Sequence, residues 1–429
     1  MDQVRDVIKH YKHEKDSEAH VIFRQSAGHK PKGIVPQLVN PEEETVPGIE
    51  HPGSTGVIYC SERAIANGFS YTESHAWANL GQGAPEVGPI PNAPPRPSYI
   101  NMPTDSLEYA PTTGVKALRE AVANLYNHTY RKGKASQYTY ENVCIVPGGR
   151  SGLSRLAAVV GDATPSRPAG LSVPDYTAYD QVLSAFRRLV PVPTALDPAK
   201  KYRLDIEQVK RDIFTQGLAV ILASNPRNPT GQVIQGKDLK ELVQLGREGT
   251  TIILDEFYSW YLYPDSEKDY GKSVSSAEFI EDVDTDAVVI VDGLTKVSLQ
   301  KHFKHKRDHV LKRLHDLGKA PGSLNNGLTF FEELLKEQTI VIPGIFFDIN
   351  PSHRRNLFHS PCHHFVRLSF GPPLEDLDKG LDAMARVLKK AKKEGMKGFG
   401  HNYKKSIDGE SSPIDVRPPM RGHDTANTV

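Results

Sequence analysis

Short apolar runs alternate with segments of helical periodicity between residues 115 and 291. The apolar runs predict β-strands at Val143–Val146, Gly170–Val173, Leu189–Val192, Leu218–Ala223, Thr251–Leu254 and Asp286–Val291. The periodic segments predict α-helices at Val115–Tyr130, Gly152–Val160, Ala178–Phe186, Ile206–Phe214 and Lys237–Arg247. Strands that alternate with helices are typical of βαβ units, so we expect an α/β fold with a mainly parallel sheet and helices on both faces.

The pattern changes after residue 297. The later part of the chain predicts helices and strands in an α+β arrangement at Ser298–Leu317 (helix), Thr329–Lys336 (helix), Thr339–Ile342 (strand), Phe365–Phe370 (strand) and Leu374–Glu394 (helix). We therefore expect a second, smaller α+β domain. Residues 1–56 are polar and charged and predict an N-terminal arm, while residues 403–429 contain few large apolar groups and predict a disordered tail.

Charge is almost balanced, with 53 basic against 52 acidic side chains and a formal net charge of +1. This balance gives no electrostatic reason to expect nucleic acid or an anionic membrane as a partner. The first twenty residues have no apolar core of the kind a secretory signal needs, and no apolar run reaches the length of a membrane span. The three cysteines, Cys60, Cys144 and Cys362, form no CxxC pair. We therefore expect a cytoplasmic protein.

The loops that follow parallel strands bind ligands in open α/β sheets, so the residues directly after each predicted strand are the candidates for a ligand-binding or catalytic role. Gly149 and Arg150 lie in the turn that leads into the predicted helix Gly152–Val160. Free N–H groups at the start of a helix attract an anion such as phosphate, although glycine at such a turn often serves geometry alone. Tyr176 follows the next strand and either stacks on a flat ring or is a structural tyrosine. The segment NPRNPTG (225–231) predicts a rigid turn that can aim an asparagine amide inward.

Two further strand ends carry ionisable groups. Asp255 follows an apolar strand, where a carboxylate can pair with a protonated ring nitrogen or simply cap a turn, and Tyr258 lies three residues further on. Lys296 follows the last predicted strand of the series. A lysine in that position can form a Schiff base if the pKa of its ammonium group is lowered.

These segments resemble those of the class I/II aminotransferases, which are fold-type-I pyridoxal-phosphate enzymes. The resemblance covers roughly residues 57–400 and is carried by six segments that occur in the family's order: NLGQGAP (79–85), YAPTTG (109–114), NPRNPTG (225–231), DEFY (255–258), DGLTK (292–296) and VRLSFG (366–371). It implies an aspartate-aminotransferase-like fold. It also implies a small-domain segment at 57–97, a large cofactor-binding domain at 98–297, and an interdomain helix with the rest of the small domain at 298–402.

The resemblance assigns pyridoxal 5'-phosphate as the cofactor and gives roles around its ring. Lys296 would hold the cofactor as an internal aldimine and shuttle the Cα proton, and Asp255 would keep the ring nitrogen protonated. Tyr258 and Asn228 would bond the phenolic oxygen of the ring, and Tyr176 would stack on the ring. Gly149 and Arg150 would lie at the phosphate.

The remaining roles concern the substrate and the partner subunit. Arg367 would hold the substrate α-carboxylate as a bidentate fork, although it could instead be a surface arginine on a strand. Gly83 would let the backbone approach that carboxylate, and Asn228 would also lie at the substrate. Tyr109 would reach the phosphate in the neighbouring subunit, which implies a homodimer. The implied substrates are an amino acid and a 2-oxo acid.

The chain departs from the family after Lys296. The family continues with x-x-x-x-P-G-x-R-x-G, whose arginine clamps the cofactor phosphate, whereas here the predicted helix Ser298–Leu317 follows at once. Several tens of residues are absent, including that arginine and an antiparallel strand, and Gly293 stands where the family has a serine. The departure reflects an altered gene model or splice form, or a shortened relative. The departure leaves a catalytically impaired truncated form or a non-enzymatic remnant open. Other pyridoxal-phosphate reactions, such as β-elimination, decarboxylation or ring-forming γ-elimination, also stay open, because the same lysine, aspartate and arginine would serve them.

The predicted helix after Lys296 is rich in basic side chains. We expect Lys301, Lys304 and Lys306 on its solvated face, and the same holds for the histidines at helical spacing, His302, His305 and His309. No carboxylate or cysteine completes a metal site with these histidines. Cys362-His363-His364 is expected to form a loop, so no metal is expected.

Overall fold

The structure is a computed structural model that describes residues 56–86, 88–91, 93, 95, 97–161, 167–185, 189–293, 300–318, 324, 326–348 and 360–394. The predicted tail at 403–429 lies outside these residues, as do Lys296 and all of the predicted arm except Gly56. The described residues form two compact units. One contains residues 56–86 and 303–394, and the other contains residues 88–302.

The helices of the described residues are α1 (Gly56–Ala66), α2 (Lys116–Tyr130), α3 (Gly149–Gly161), α4 (Tyr179–Ser184), α5 (Ile206–Gln216), α6 (Gly236–Arg247), α7 (Gln300–Leu317), α8 (Gly327–Lys336) and α9 (Leu374–Glu394). The strands are β1 (Ala78–Asn79), β2 (Arg167–Val173), β3 (Leu189–Ala195), β4 (Val220–Ser224), β5 (Thr251–Asp255), β6 (Val288–Val291), β7 (Thr339–Ile340), β8 (Ile342–Pro343) and β9 (Val366–Arg367).

The larger unit is built on a parallel sheet with the strand order β3-β2-β4-β5-β6. Every residue of β4 is buried, as expected for a central strand of a parallel sheet covered on both faces. In the register of β4 and β5, Ser224 lies opposite Asp255. The last residues of both strands are therefore polar neighbours at the carboxyl edge of the sheet.

Helices cover both faces of this sheet, as predicted. Val220 and Leu222 of β4 pack in one apolar cluster with α3 and α4, whereas Ile221 and Ala223 pack in a second cluster with α5 and α6. Successive side chains of a strand point to opposite faces, so the two clusters lie on opposite sides of the sheet. Helix α5 shows how the sequence determines where a helix begins and ends. Asp205 caps its first turn, and Gly217 ends it in the left-handed conformation at φ 65°.

The predicted strand Val143–Val146 is wrong. The segment pairs with no strand among the described residues, and its polar backbone groups find other partners. The Ile145 N–H donates to the carbonyl of Thr113 at 2.9 Å, and the Val143 carbonyl accepts from Arg119 Nε at 2.7 Å. An apolar run predicts a strand only if a neighbouring strand is available to complete its hydrogen bonds. The other predicted strands and helices of the larger unit are present with shifted ends.

The smaller unit is an α+β arrangement around its own apolar core. Helices α1, α8 and α9 supply Tyr59, Phe331 and Leu381 to this core, and all three side chains are buried. Strand β1 pairs with β7 in parallel, and β8 pairs with β9 in antiparallel orientation. The predicted strand Thr339–Ile342 is therefore two short strands, and the predicted strand Phe365–Phe370 is reduced to Val366–Arg367.

The expectation that the basic residues of α7 are all solvated is wrong for Lys306. This residue follows Phe303 by three positions and precedes Val310 by four, so it falls within the buried stripe of the helix. Its ammonium group donates to a Glu86 carboxylate oxygen at 2.9 Å and to the carbonyl of Gly371 at 2.7 Å. Burial lowers the pKa of Lys306, and the Glu86 carboxylate acts in the opposite direction.

Further observations concern a metal site and a membrane span. His309 does not stand alone on α7, because its Nε2 lies 2.8 Å from an oxygen of Asp378. Within the described ranges, no group of three or more histidine, cysteine, aspartate or glutamate side chains is arranged to hold a metal ion. Across the same ranges, no helix is both long enough and apolar enough to cross a membrane.

Candidate active site

Asp255 ends β5 as a buried carboxylate, with 8% of its surface exposed. The Tyr179 hydroxyl donates to one of its oxygens at 2.7 Å, and the Phe257 N–H donates to the other at 3.3 Å. Burial raises the pKa of Asp255 to about 6, and no salt bridge of the described residues includes this carboxylate. The arrangement holds an acidic group that lacks a positively charged partner within the described chain.

Sequence reasoning missed Tyr179. Its ring lies 5.4 Å from the ring of Tyr176 at an angle of 81°, so the two tyrosines form an edge-to-face pair at the start of α4. The spacing Tyr176-x-x-Tyr179 corresponds to about one helical turn, which is the signal that could have identified it. Tyr176 also accepts a hydrogen bond from Arg150 Nε at 3.2 Å. The structure thus brings Arg150, Tyr176 and Asp255 together through Tyr179.

The turn after β4 distinguishes the two asparagines of NPRNPTG. The Asn225 amide is committed to the fold, because its Nδ2 donates to the Ile234 carbonyl and its Oδ1 accepts from the Ile234 N–H, each at 2.9 Å. Asn228 is half-buried, and its N–H donates to Ser224 Oγ at 3.1 Å. Asn225 therefore shapes the turn, and Asn228 carries the candidate ligand-binding role.

The ring of Phe257 explains two glycines of the site. A Cβ atom on Gly149 would lie 2.5 Å from the Phe257 ring, and one on Gly293 would lie 2.7 Å from it. Real Cβ atoms do not approach so closely, so this ring excludes a side chain at both positions. Gly293 therefore fits its surroundings, where the resembling family has a serine. Phe257 was not predicted as a site residue.

The segment that leads from β6 toward Lys296 lies at the same sheet edge. Val291 of β6 pairs with Asp255 of β5, and Asp292 follows it with an oxygen that accepts from the Tyr126 hydroxyl at 2.7 Å. Lys296 itself lies outside the described residues. Tyr258 is half-buried after β5, with its ring 5.6 Å from that of Tyr261.

The other predicted site residues lie elsewhere. Tyr109 is fully exposed. Arg367 belongs to the smaller unit, where its Nη2 donates to the carbonyl of Gly81 and its guanidinium carbon lies 5.0 Å from the Phe347 ring centroid. The Ser369 N–H donates to the Leu80 carbonyl at 2.7 Å. The structure therefore brings Arg367 to the segment that contains Gly83.

Solved structures identify the fold. The chain is similar to a single mutant of the aspartate aminotransferase of Thermus thermophilus, with a TM-score of 0.57 and 19% sequence identity over 80% of this chain and 98% of that one. The likeness confirms the aspartate-aminotransferase-like α/β fold.

Sequence comparisons identify the family. The profile described as Aminotransferase class I and II matches residues 76–297, just over half of the chain. A probable aspartate/prephenate aminotransferase of Aquifex aeolicus is 29% identical over 177 residues, which cover 41% of this chain and 42% of that protein. An aromatic-amino-acid aminotransferase of Thermococcus litoralis is 22% identical over 355 residues, which cover 66% of this chain and 85% of that protein. The protein belongs to the class I and II aminotransferase family.

Enzymes of this family generally depend on pyridoxal phosphate, and the described residues fit that group. Asp255 is a buried carboxylate with a raised pKa, for which a protonated ring nitrogen would be the missing cation. Tyr176 presents an aromatic ring close by, and α3 begins at Gly149 with N–H groups suited to a phosphate.

Glu256, which directly follows Asp255, generates a prediction about how the stability of the protein depends on pH. It is fully buried, its Oε1 accepts from the N–H and hydroxyl of Ser276, and burial raises its pKa to about 7. The folded protein therefore binds this proton more tightly than the unfolded chain, and stability is lost as pH rises from about 4.5 to 7. A pKa rise from 4.5 to about 7 corresponds to about 3 kcal/mol.

Glu256→Gln cannot ionise, so we expect its free energy of unfolding relative to the parent to rise by about 2.5 kcal/mol between pH 5 and pH 8, since pH 5 already lies above the unfolded pKa of 4.5. Urea unfolding at both pH values measures this, with the exposed Glu278→Gln as the control variant. If the free energies of unfolding of Glu256→Gln and the parent differ by the same amount at pH 5 and at pH 8, the raised pKa of Glu256 is contradicted.

A second prediction concerns Phe257. Gly293→Ser alone should destabilise the protein by about 1–3 kcal/mol because its Cβ meets the ring. Combined with Phe257→Val, the serine should fit, so the cost of the double variant should be smaller than the sum of the single costs. Urea unfolding of the three variants tests this, and Gly88→Ser is the control because nothing lies within 4 Å of a Cβ there. Additive costs would show that the ring does not restrict position 293.

Proposed function

We propose that the protein is a pyridoxal-phosphate-dependent aminotransferase that moves an amino group between an L-amino acid and a 2-oxo acid. One observation carries the proposal. The buried carboxyl of Asp255, held by Tyr179, lies at the carboxyl edge of the sheet beside the turn of Asn228 and beside the strand that leads to Lys296. This is the sheet edge at which α/β proteins bind ligands.

The cofactor, when bound, supplies an aromatic ring that withdraws electrons from the substrate Cα. Asp255 would keep the ring nitrogen protonated. Its neighbours support this role, because the Tyr179 hydroxyl and the Phe257 N–H stabilise the charged carboxylate, while burial excludes water from it. Lys296 would hold the cofactor covalently and move the proton at the substrate Cα. Tyr258 and Asn228 would donate hydrogen bonds to the phenolic oxygen of the ring.

Two groups would bind the phosphate and the substrate. The N–H groups at the start of α3, with Arg150, would receive the phosphate. Without the arginine that the family has after its lysine, binding is expected to be weaker by about 2–3 kcal/mol, the strength of a charged hydrogen bond. Arg367 would bind the substrate α-carboxylate, with the segment of Gly83 beside it.

The proposed assembly is a homodimer. Five apolar or aromatic side chains between residues 99 and 109 are more than 70% exposed: Tyr99, Ile100, Met102, Leu107 and Tyr109. Several exposed apolar and aromatic side chains within one short segment are typical of a protein interface. A second copy that covers it would also supply the partner for the exposed Tyr109 ring.

The function is tested on the purified full-length protein with added pyridoxal phosphate. We expect bound cofactor to absorb in the visible range and, after borohydride reduction, to add its mass to the peptide that contains Lys296. Lys296→Ala should show no covalent adduct. Asp255→Asn should bind cofactor but lose at least about a hundredfold in rate, because the ring nitrogen loses its charged partner.

Product analysis completes this test. An amino acid with a 2-oxo acid acceptor should yield the corresponding exchanged pair, whereas release of ammonia and an oxo acid without an acceptor would indicate elimination. If the parent protein forms no adduct at Lys296 and exchanges no amino group, the proposal is wrong for this chain.

The assembly is tested by light scattering after gel filtration. Met102→Glu places a charge in the exposed segment and should shift the protein from dimer to monomer at micromolar concentration. Phe214→Glu is the matched control, because Phe214 is 91% exposed but lies on α5 outside the segment. A parent that is already monomeric, or an equal effect of both variants, would contradict the proposed interface.

A further inference from the structure

Two opposite charges lie one residue before two of the proposed cofactor contacts. Asp175 precedes Tyr176, and Arg227 precedes Asn228. Both are 2% exposed, and their side chains form an ion pair between Arg227 Nη1 and Asp175 Oδ2. The pair therefore joins the loop after β2 to the turn after β4, well away from solvent.

Every acceptor position of Asp175 is used. Oδ1 accepts from the Tyr176 N–H at 2.8 Å and from the Ser224 hydroxyl, and Oδ2 accepts from the Ser224 N–H at 3.3 Å and from Arg227. A carboxylate accepts about four such bonds, so the group is saturated by the chain itself. It holds the backbone of Tyr176 at a fixed place relative to the end of β4.

The other half of the connection runs through Arg227 and Ser224. Arg227 Nη1 also donates to the Ser172 carbonyl of β2 at 3.0 Å, and its own N–H donates to the Gln232 carbonyl at 2.8 Å. Ser224 Oγ, which donates to Asp175, accepts from the Asn228 N–H at 3.1 Å. The network therefore fixes the backbone of Asn228 by the same carboxylate that fixes Tyr176.

A buried ion pair is a weak source of stability, because removing two charges from water costs about as much as their attraction returns. Such pairs are better suited to fixing one arrangement of the groups around them. Here the groups next to the pair are the Tyr176 ring and the Asn228 amide, which would both contact the proposed cofactor. No residue of the pair is among the proposed cofactor contacts.

We propose that Asp175 and Arg227 are positioning residues that set the distance between Tyr176 and Asn228 and so hold the cofactor ring in a single orientation. The inference rests on the proposed function. Without the pair, Lys296 and Asp255 should still retain the cofactor, but its ring should take several orientations. The rate should then fall more than the affinity for substrate.

The test uses a double-variant cycle in the full chain: Asp175→Asn, Arg227→Gln and the two together. The double variant carries no unpaired buried charge, so it should fold where a single variant fails. We expect kcat to fall by about tenfold to a hundredfold with little change in KM, since small misplacements of reacting groups have effects of this size. The circular dichroism of the bound cofactor in the visible range should weaken in parallel, and Arg227→Lys should restore part of it.

The exposed pair Arg203 and Asp238, whose atoms lie 3.5 Å apart, provides the control variant Arg203→Gln. Lower thermal stability with unchanged kcat and unchanged cofactor dichroism would mean that the pair is merely structural, which overturns the inference. If the parent protein nevertheless forms the adduct at Lys296, the proposed function stands although the inference fails. Absence of the adduct in the parent would overturn the proposed function and this inference with it.

Discussion

The register between β4 and β5 is the constraint on which the candidate active site depends. Both strands are apolar and buried over most of their length, so helices on each face fix their positions. A shift of one residue would turn every side chain of a strand to the opposite face and expose half of that packing. The packing thus holds Ser224 beside Asp255, and the turns that follow these two strands inherit that placement.

The same edge of the sheet concentrates buried acid, and each carboxyl is compensated differently. Asp175 has the guanidinium of Arg227, whereas Asp255 has the Tyr179 hydroxyl and Glu256 has the N–H and hydroxyl of Ser276. Only the first of these is neutralised by an opposite charge. Burial raises the pKa of all three, but the two without a cationic partner among the described residues are the last residue of β5 and the residue that follows it. The buried carboxyl groups that lack a positively charged partner among the described residues therefore lie together at the end of one strand.

The sequence was sufficient for features that depend on local pattern. Alternating apolar runs and helical segments predicted the parallel sheet, and the order of the motifs predicted which strand ends carry polar groups. Features that depend on a partner in space were not predictable in this way. Val143–Val146 is apolar enough for a strand but has none beside it among the described residues, and Lys306 is buried because it falls on the inward stripe of α7. Arg227 became recognisable only when its partner Asp175 was placed next to it.

The ring of Phe257 has a consequence for how this site can change over generations. It fills the space beside both Gly149 and Gly293, which belong to segments far apart in the sequence. A mutation that adds a side chain at either glycine is harmful while the ring is present, and the loss of the ring leaves a gap while both glycines remain. The order of substitutions therefore matters. A hydroxyl at position 293 costs less stability in a lineage that has first accepted a smaller residue at position 257.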